Sequence, residues 1–240
     1  MFKSIIYILN IFDKIYQKKI IKKLNIIFNE NIDIIFDVGA HKGEFIKMII
    51  NNFNTKKIHS FEPSKKNFNI LSKNIKKIDL KENYIYLNNF ALGEIEEMKE
   101  FKQMKESSSS TLSNINTNSK YFKRKNLILN FGFNVKIFDK TTVKIKDGFS
   151  YLEKEKIEKI DLLKIDTEGY EYFVIKGFGK NIDKVKVIFF EHHYDLMLVK
   201  NYTFSKIHNY LVAKGFEKHS KFKMPFRKTF EYIYISKNYL

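Results

Sequence analysis

The sequence predicts an α/β fold: an open, mostly parallel, doubly wound sheet with helices on both faces. Three observations predict it. Short apolar runs recur between stretches of helical periodicity, the pattern of strands joined by crossover helices. Four of those runs stop at a carboxylate, namely Ile34 to Asp37, Ile58 to Glu62, Ile160 to Asp166 and Val185 to Glu191. The first leads into the turn Val38-Gly39-Ala40-His41-Lys42-Gly43, with a helical pattern behind it. A buried strand ending at a glycine turn, with an acid at the tip of the following strand, is how Rossmann-like folds hold a nucleoside.

From the N-terminus, Met1 to Phe28 places Ile5, Leu9, Phe12, Tyr16 and Ile20 near helical spacing, with Lys14, Lys18, Lys19, Lys22 and Lys23 between them. This reads as an amphipathic helix packed on the sheet or on a partner subunit, with a membrane-surface helix as the other reading. Residues 1–30 are therefore an N-terminal helical extension and 31–240 the main domain. Asp33 to Val38 is a strand, Gly43 to Asn52 a helix and Lys57 to Glu62 a strand. Ser64 to Ile75 is a helix with Ser64 as its N-cap. Tyr84 to Leu92 reads as a third strand, ended by the tight Ala91-Leu92-Gly93 segment. Ser107 to Thr111, with Asn114, Asn116, Thr117, Asn118 and Ser119, is too polar to bury and predicts a mobile loop, either a binding lid or disorder. Val135 to Ile145 alternates as an edge-like strand pair. Order resumes with a strand from Ile160 to Asp166, a helix over 169–177, a strand from Val185 to Phe190 and a helix from Ser205 to Lys214. Phe216 to Phe222 and Thr229 to Ile235 form a closing strand pair.

At 240 residues, 44% hydrophobic and 30% charged, the chain fits one globular domain. The absence of cysteine excludes disulfides and thiolate metal sites and suits a reducing compartment. A cytoplasmic protein is expected, with peripheral contact at the inner membrane face through the basic N-terminal helix. No run of eighteen apolar residues occurs, so no transmembrane helix is expected. The Phe2 to Phe12 stretch is broken by Asn10, lacks a small-residue cleavage site and is expected to stay on the protein. The net charge of +17 raises nucleic acid as a partner, but Arg124 and Arg227 are the only arginines. Arginine is the residue suited to bidentate phosphate recognition, so the lysine excess is read as solvated surface and nucleic acid is disfavoured.

Ligands of open parallel sheets bind outside the carboxyl ends of the strands, so Asp37, Glu62, Asp166 and Glu191 are expected along one rim. Gly39 lets the backbone turn tightly, and Gly43 leaves room for ligand against bare peptide groups. Glu62 can accept from both ribose hydroxyls, and Asp37 can meet an ammonium group or a bridging water. Asp166, with Glu168 or Glu191, is a candidate site for a divalent cation such as magnesium, or for taking a proton from an acceptor. The alternative for Glu168 and Glu171 is favourable interaction with a helix dipole. His192 and His193 follow Glu191 and are chemically suited to take a hydroxyl proton near neutral pH. A nicotinamide enzyme is disfavoured: Gly39-x-x-x-Gly43 is not G-x-G-x-x-G, and an acid two residues before the first glycine repels a pyrophosphate.

The segments Phe36 to Gly43, Phe61-Glu62-Pro63, Asn89 to Gly93 and above all Leu163-Lys164-Ile165-Asp166-Thr167-Glu168-Gly169-Tyr170-Glu171 resemble the motif series of FkbM-type S-adenosylmethionine-dependent methyltransferases. Order and spacing match from about Asp33 to Asp195, and D-x-E-G-x-E is the most specific piece; Thr167 stands where an aliphatic residue is usual. The resemblance implies a seven-stranded class I methyltransferase fold. It puts Asp37 and Gly39 near the methionine moiety, Glu62 on the ribose and Phe90-Ala91 beside adenine, with Ala40, Gly43 and Pro63 also counted among the cofactor-binding residues. It also implies methyl transfer to a hydroxyl oxygen, on a sugar, glycan or natural product, with the base at Asp166, Glu191 or His192. An RNA methyltransferase, and a non-catalytic basic scaffold at a membrane, remain the two other readings.

Overall fold

A computed structural model of the protein describes residues 2–78, 84–129, 137–225 and 227–239, without the side chains of residues 2–14, 125, 126, 128 and 129. In chain order the elements are α1 (Phe2–Phe28), β1 (Ile34–Val38), α2 (Glu44–Asn52), β2 (Lys57–Phe61), α3 (Lys65–Ile75), β3 (Tyr84–Asn88), β4 (Ala91–Gly93), β5 (Glu97–Met104), β6 (Asn114–Ile115), α4 (Lys120–Leu129), β7 (Phe138–Asp147), α5 (Gly148–Glu155), β8 (Ile160–Ile165), α6 (Glu171–Gly177), β9 (Val185–His193), β10 (Leu198–Val199), α7 (Phe204–Ala213), β11 (Phe216–Lys223) and β12 (Thr229–Ser236). Seven strands make the main sheet in the order β3-β2-β1-β8-β9-β12-β11. All pairings from β3 to β9 are parallel, and β12 runs antiparallel to both its neighbours. The fold is thus the predicted α/β class with a mostly parallel seven-stranded sheet.

Period-two alternation along the central strands supplies two cores, one per face. Phe36, Leu163, Ile188, Phe190, Tyr232 and Tyr234 turn to the face covered by α5, α6 and α7. Their neighbours Ile35, Leu162, Val187, Phe189, Ile233 and Ile235 turn to the other face, under Ile20, Leu24 and Phe28 of α1, Ile46 and Ile49 of α2 and Leu71 and Ile75 of α3. The C-terminal part of α1 is therefore packed on the sheet, the first of its two readings. Ile5, Leu9, Phe12 and Lys14 lie outside the described side chains. Among the described residues no helix is long and apolar enough to cross a membrane.

Several boundaries differ from expectation. The strand predicted over Tyr84 to Leu92 breaks at Asn89-Phe90, because the Asn89 side chain donates to the carbonyls of Glu62 and Pro63, 2.8 and 3.3 Å away. The chain then leaves the main sheet, and β4 joins a second sheet in the order β4-β7-β5. The predicted strand pair over 135–145 is instead the single strand β7, paired antiparallel with β5; Val135 lies outside the described residues. The segment expected to be too polar to bury is mixed: Ser107, Ser109, Thr111 and Ser119 are buried, as is Ser113 between them, while Ser108, Asn114, Thr117 and Asn118 are exposed as expected. Hydroxyls that find partners can be interior at little cost: Thr111 and Ser113 donate to the carbonyls of residues 168 and 169, Ser107 meets His41, and Ser119 accepts from Phe122 N.

Candidate active site

One cavity of about 400 Å³ opens where β1, β2, β8 and β9 end. Gly39, at the tip of β1, has φ +83°, and a Cβ there would lie 1.8 Å from the Asp166 carbonyl oxygen. The amides of Gly39 and Ala40 donate to the Phe61 carbonyl at 2.9 and 3.1 Å, while Asp166 N donates to Val38. The tips of β1, β2 and β8 are thus stitched into one platform. Gly39→Ala is expected to prevent that closure and leave the protein largely unfolded or aggregated, which circular dichroism and gel filtration read directly.

Glu62 follows β2 and is buried, its carboxylate accepting the amides of His41 and Ser64, each at 2.9 Å. One bond fixes each oxygen, and each keeps a second acceptor position; Glu62 also lines the cavity. Burial pushes its carboxyl up to about 7, against the pull of those two N–H groups. Ser64 caps α3 as predicted, its side chain accepting from Asn67 N. Ala40, Pro63 and Ala91 line the same cavity, with Val38, Phe61 and Leu92 as apolar wall.

On the far side stand Asp166, Glu168 and Glu191. Loss of hydration inside the cavity, and then the Glu191 carboxylate, raise the Asp166 pKa, although its side chain is 41% exposed. Beyond them Glu231 of β12 accepts a 2.6 Å hydrogen bond from Tyr16 of α1. Burial raises Glu231 to about 8 even though the Tyr16 hydroxyl works the other way. In a chain of net charge +17, six acids line this cavity, Glu44, Glu62, Asp166, Glu168, Glu191 and Glu231, against Lys164 and Arg227 as the full cations. Such a field suits a cationic ligand and opposes a polyphosphate.

Of the four acids expected on the rim, three line the cavity and Asp37 does not. Asp37 is fully buried beneath it, and the ammonium it meets is that of Lys164, 3.0 Å away. Lys164 Nζ also donates to the Gly39 carbonyl at 3.2 Å and lies 3.6 Å from Asp166. Asp37 therefore holds the cation that braces the platform. Gly43 does not line the cavity either: it has φ +92°, and a Cβ would press on Leu71 at 2.9 Å, so it lets α2 start against α3. Phe90 is absent from the lining because it packs on Phe61 and Tyr151.

His192 is also displaced from its expected place. Strand β9 runs on through Glu191 to His193 rather than stopping at Phe190, so alternate residues take opposite faces. His192 falls on the α7 face, among Tyr194, Tyr202 and Phe204, where burial lowers its pKa to about 3. His193 shares the face of Glu191. Its Nε2 lies 3.2 Å from Glu168 Oε2 and 3.4 Å from Glu191 Oε2, and its Nδ1 lies 3.3 Å from Asp195 Oδ2. Counting two residues from Glu191 along a longer strand would have found it.

The D-x-E-G-x-E segment forms the turn after β8. Glu168 adopts φ +52°, left-handed for a non-glycine residue, and Gly169 follows at φ +93°. Glu171 is fully buried and clamps the turn: it accepts from Gly169 N at 2.8 Å, from Thr167 Oγ1 at 3.1 Å and from the Tyr202 hydroxyl at 2.7 Å. A threonine at 167 thus adds a bond that an aliphatic side chain lacks. From the other side Thr111 and Ser113 donate to the carbonyls of Glu168 and Gly169, at 2.5 and 2.7 Å. His41 Nε2 meets Ser107 Oγ at 2.8 Å, tying the serine-rich segment to the glycine turn as well.

The sequence signature of the methyltransferase FkbM domain matches residues 37–218. The chain belongs to the FkbM methyltransferase family. By family it is an S-adenosylmethionine-dependent methyltransferase. A comparison with curated proteins returns no match. Among solved structures, the FkbM methyltransferase of Methylobacillus flagellatus KT is similar at 12% identity and a TM-score of 0.53, over 85% of this chain and 44% of its own length. TrmK of M. capricolum, solved with S-adenosylhomocysteine, is similar at 14% identity and a TM-score of 0.50, over 91% of this chain and 67% of TrmK. The magnesium protoporphyrin IX methyltransferase of Synechocystis PCC 6803, solved with bound cofactor, gives 7% identity and a TM-score of 0.51, over 95% and 81%. At these identities the likeness establishes the class I methyltransferase fold. The FkbM signature spans the platform, Glu62 and the D-x-E-G-x-E turn, and leaves out α1 and β12.

Proposed function

We propose that the cavity binds S-adenosylmethionine over the tips of β1 and β2 and presents a hydroxyl acceptor, of a sugar or glycan, at the side of β8 and β9. The observation that carries this reading is Glu62: a buried carboxylate locked by two backbone amides, with acceptor positions left over, beside the glycine turn and in one cavity with Asp166 and Glu191. The residues fit the cofactor. A ribose diol matches a fixed carboxylate, Phe61, Ala91 and Leu92 offer an apolar surface to adenine, and the acidic lining suits the cationic sulfonium and ammonium groups. When bound, the cofactor supplies an electrophilic methyl group.

The chain's own residues then align and deprotonate. Asp166 projects from the end of β8, with the Lys164 ammonium 3.6 Å from its carboxylate, and is the residue assigned to receive the acceptor's proton; Glu191 stands next to it. Alignment supplies most of the rate. A positioned base contributes roughly 10²–10⁴-fold. Asp166→Asn is therefore expected to lower turnover by that factor while S-adenosylhomocysteine affinity by calorimetry stays as in the parent; unchanged turnover removes Asp166 from the chemistry. Acceptor class is tested by transfer of labelled methyl from the cofactor to a panel of sugars, glycolipids and RNA. Incorporation into base-stable ether on a sugar supports the reading, and incorporation into RNA alone refutes it.

A further inference from the structure

We propose that Glu168, Glu191 and His193 form a divalent-cation site at the edge of the cavity. Each offers one ligand atom, and these atoms lie within 4.8 Å of one another. Two measured separations are more telling: His193 Nε2 is 3.2 Å from Glu168 Oε2 and 3.4 Å from Glu191 Oε2. Ligands bound at about 2.0–2.2 Å and spaced by roughly tetrahedral to octahedral angles sit about 3.0–3.5 Å apart, so both separations from His193 match edges of a coordination polyhedron, and the two carboxylates lie within 4.8 Å of each other.

A second observation is independent of the clustering. Glu168 Oε2 and His193 Nε2, in residues only 8% and 6% exposed, face each other at 3.2 Å yet make no hydrogen bond to one another or to any other described group. Polar atoms buried this deep without a hydrogen bond call for an occupant between them. The imidazole is also oriented as metal-bound histidines are: its Nδ1 faces Asp195 Oδ2 at 3.3 Å and Thr229 Oγ1 at 3.2 Å, which turns Nε2 toward the two glutamates. Asp195 is itself held, its Oδ1 accepting from Met197 N at 3.0 Å. Glu168 is aimed by the clamped left-handed turn described above, and Glu191 by the sheet.

One imidazole and two carboxylates suit a first-row divalent ion such as Mn²⁺ better than Ca²⁺, which favours an all-oxygen shell. Glu168 and Glu191 also line the cavity, so the ion is placed to take an acceptor oxygen as a further ligand and lower that hydroxyl's pKa. This last role rests on the hydroxyl-transfer reading above; cation binding itself does not. The set differs from the sequence expectation, in which Asp166 stood where His193 now stands.

The test is Mn²⁺ titration of the cofactor-free protein, read by electron paramagnetic resonance. Saturable uptake of one ion per chain is expected. Glu168→Gln and His193→Gln should abolish it, Asp195→Asn should weaken it by about 10–100-fold, and His192→Gln, on the opposite face, should leave it unchanged, with circular dichroism verifying each fold. Absence of saturable uptake by the parent at millimolar free Mn²⁺, or uptake that survives in folded His193→Gln, overturns the site. S-Adenosylhomocysteine titration of the same samples separates the two claims: cofactor binding without Mn²⁺ sinks the cation site alone, and Mn²⁺ uptake without cofactor binding sinks the cofactor assignment alone.

Discussion

Replacing Lys164 by methionine is expected to cost about 3–5 kcal/mol of folding stability, because it strands a charge that the sheet has buried. Asp37 is fully buried and its carboxylate pairs with Lys164 at 3.0 Å. Burial raises the Asp37 pKa, and Lys164 is the chief influence restraining that rise. Without the ammonium, Asp37 folds only as the neutral acid. A carboxyl whose folded pKa lies above its unfolded value costs stability progressively as pH rises from the unfolded pKa toward the folded one. The deficit of Lys164→Met should therefore shrink as the pH is lowered toward 4 and be largest in mildly alkaline buffer. Adding Asp37→Asn should recover much of the loss at neutral pH. Urea denaturation of the parent, the two single variants and the double variant over a pH series measures all of this. A single variant as stable as the parent at every pH would show that the pair does not brace the platform.

Loss of Glu62 acts on binding. Charge-assisted hydrogen bonds to a fixed carboxylate contribute about 1.5–3 kcal/mol each, and Glu62 is proposed to accept two from the ribose. Glu62→Ala should then weaken S-adenosylhomocysteine binding by at least about tenfold and toward 10²-fold or more. Affinity in the parent should also depend on pH. With the carboxyl near 7, the ionised fraction falls roughly tenfold between about pH 8 and pH 6, and affinity should fall with it. Glu62→Gln should bind more weakly and lose that portion of the pH dependence. Since its raised pKa makes Glu62 a cost to folding at neutral and higher pH, the glutamine variant should stay folded there. Isothermal calorimetry across the pH range decides the matter: an alanine variant with parental affinity would remove Glu62 from the ribose.

The parts of this architecture legible in the sequence were those governed by local chemistry. Apolar runs with period-two faces gave the parallel strands, Ser64 announced its helix, and glycines at 39 and 43 marked a turn that only positive φ permits. The site was legible as far as backbone ends reveal it, which is why Glu62, Asp166 and Glu191 meet in the cavity. What went astray depended on contacts between distant segments. The serine-rich stretch looks like free loop until the carbonyls of residues 168 and 169 are seen to receive its hydroxyls. Asp37 looks like a ligand contact until Lys164, 127 residues later, is found against it. His192 and His193 differ by one position, and a strand three residues longer than expected decided which of them reaches the acids.

The wall formed by α1 and β12 has an evolutionary corollary. Tyr16, Gln17 and Ile20 from the first helix, and Met224, Arg227 and Glu231 near the last strand, border the cavity but fall outside the span shared with the family. On the reading proposed above, these six residues add an outer wall beside the acceptor, while the groups assigned to the cofactor and to proton removal lie inside the shared span. Descendants of such a scaffold can exchange that outer wall, and with it the molecule admitted, while the shared part is passed on intact.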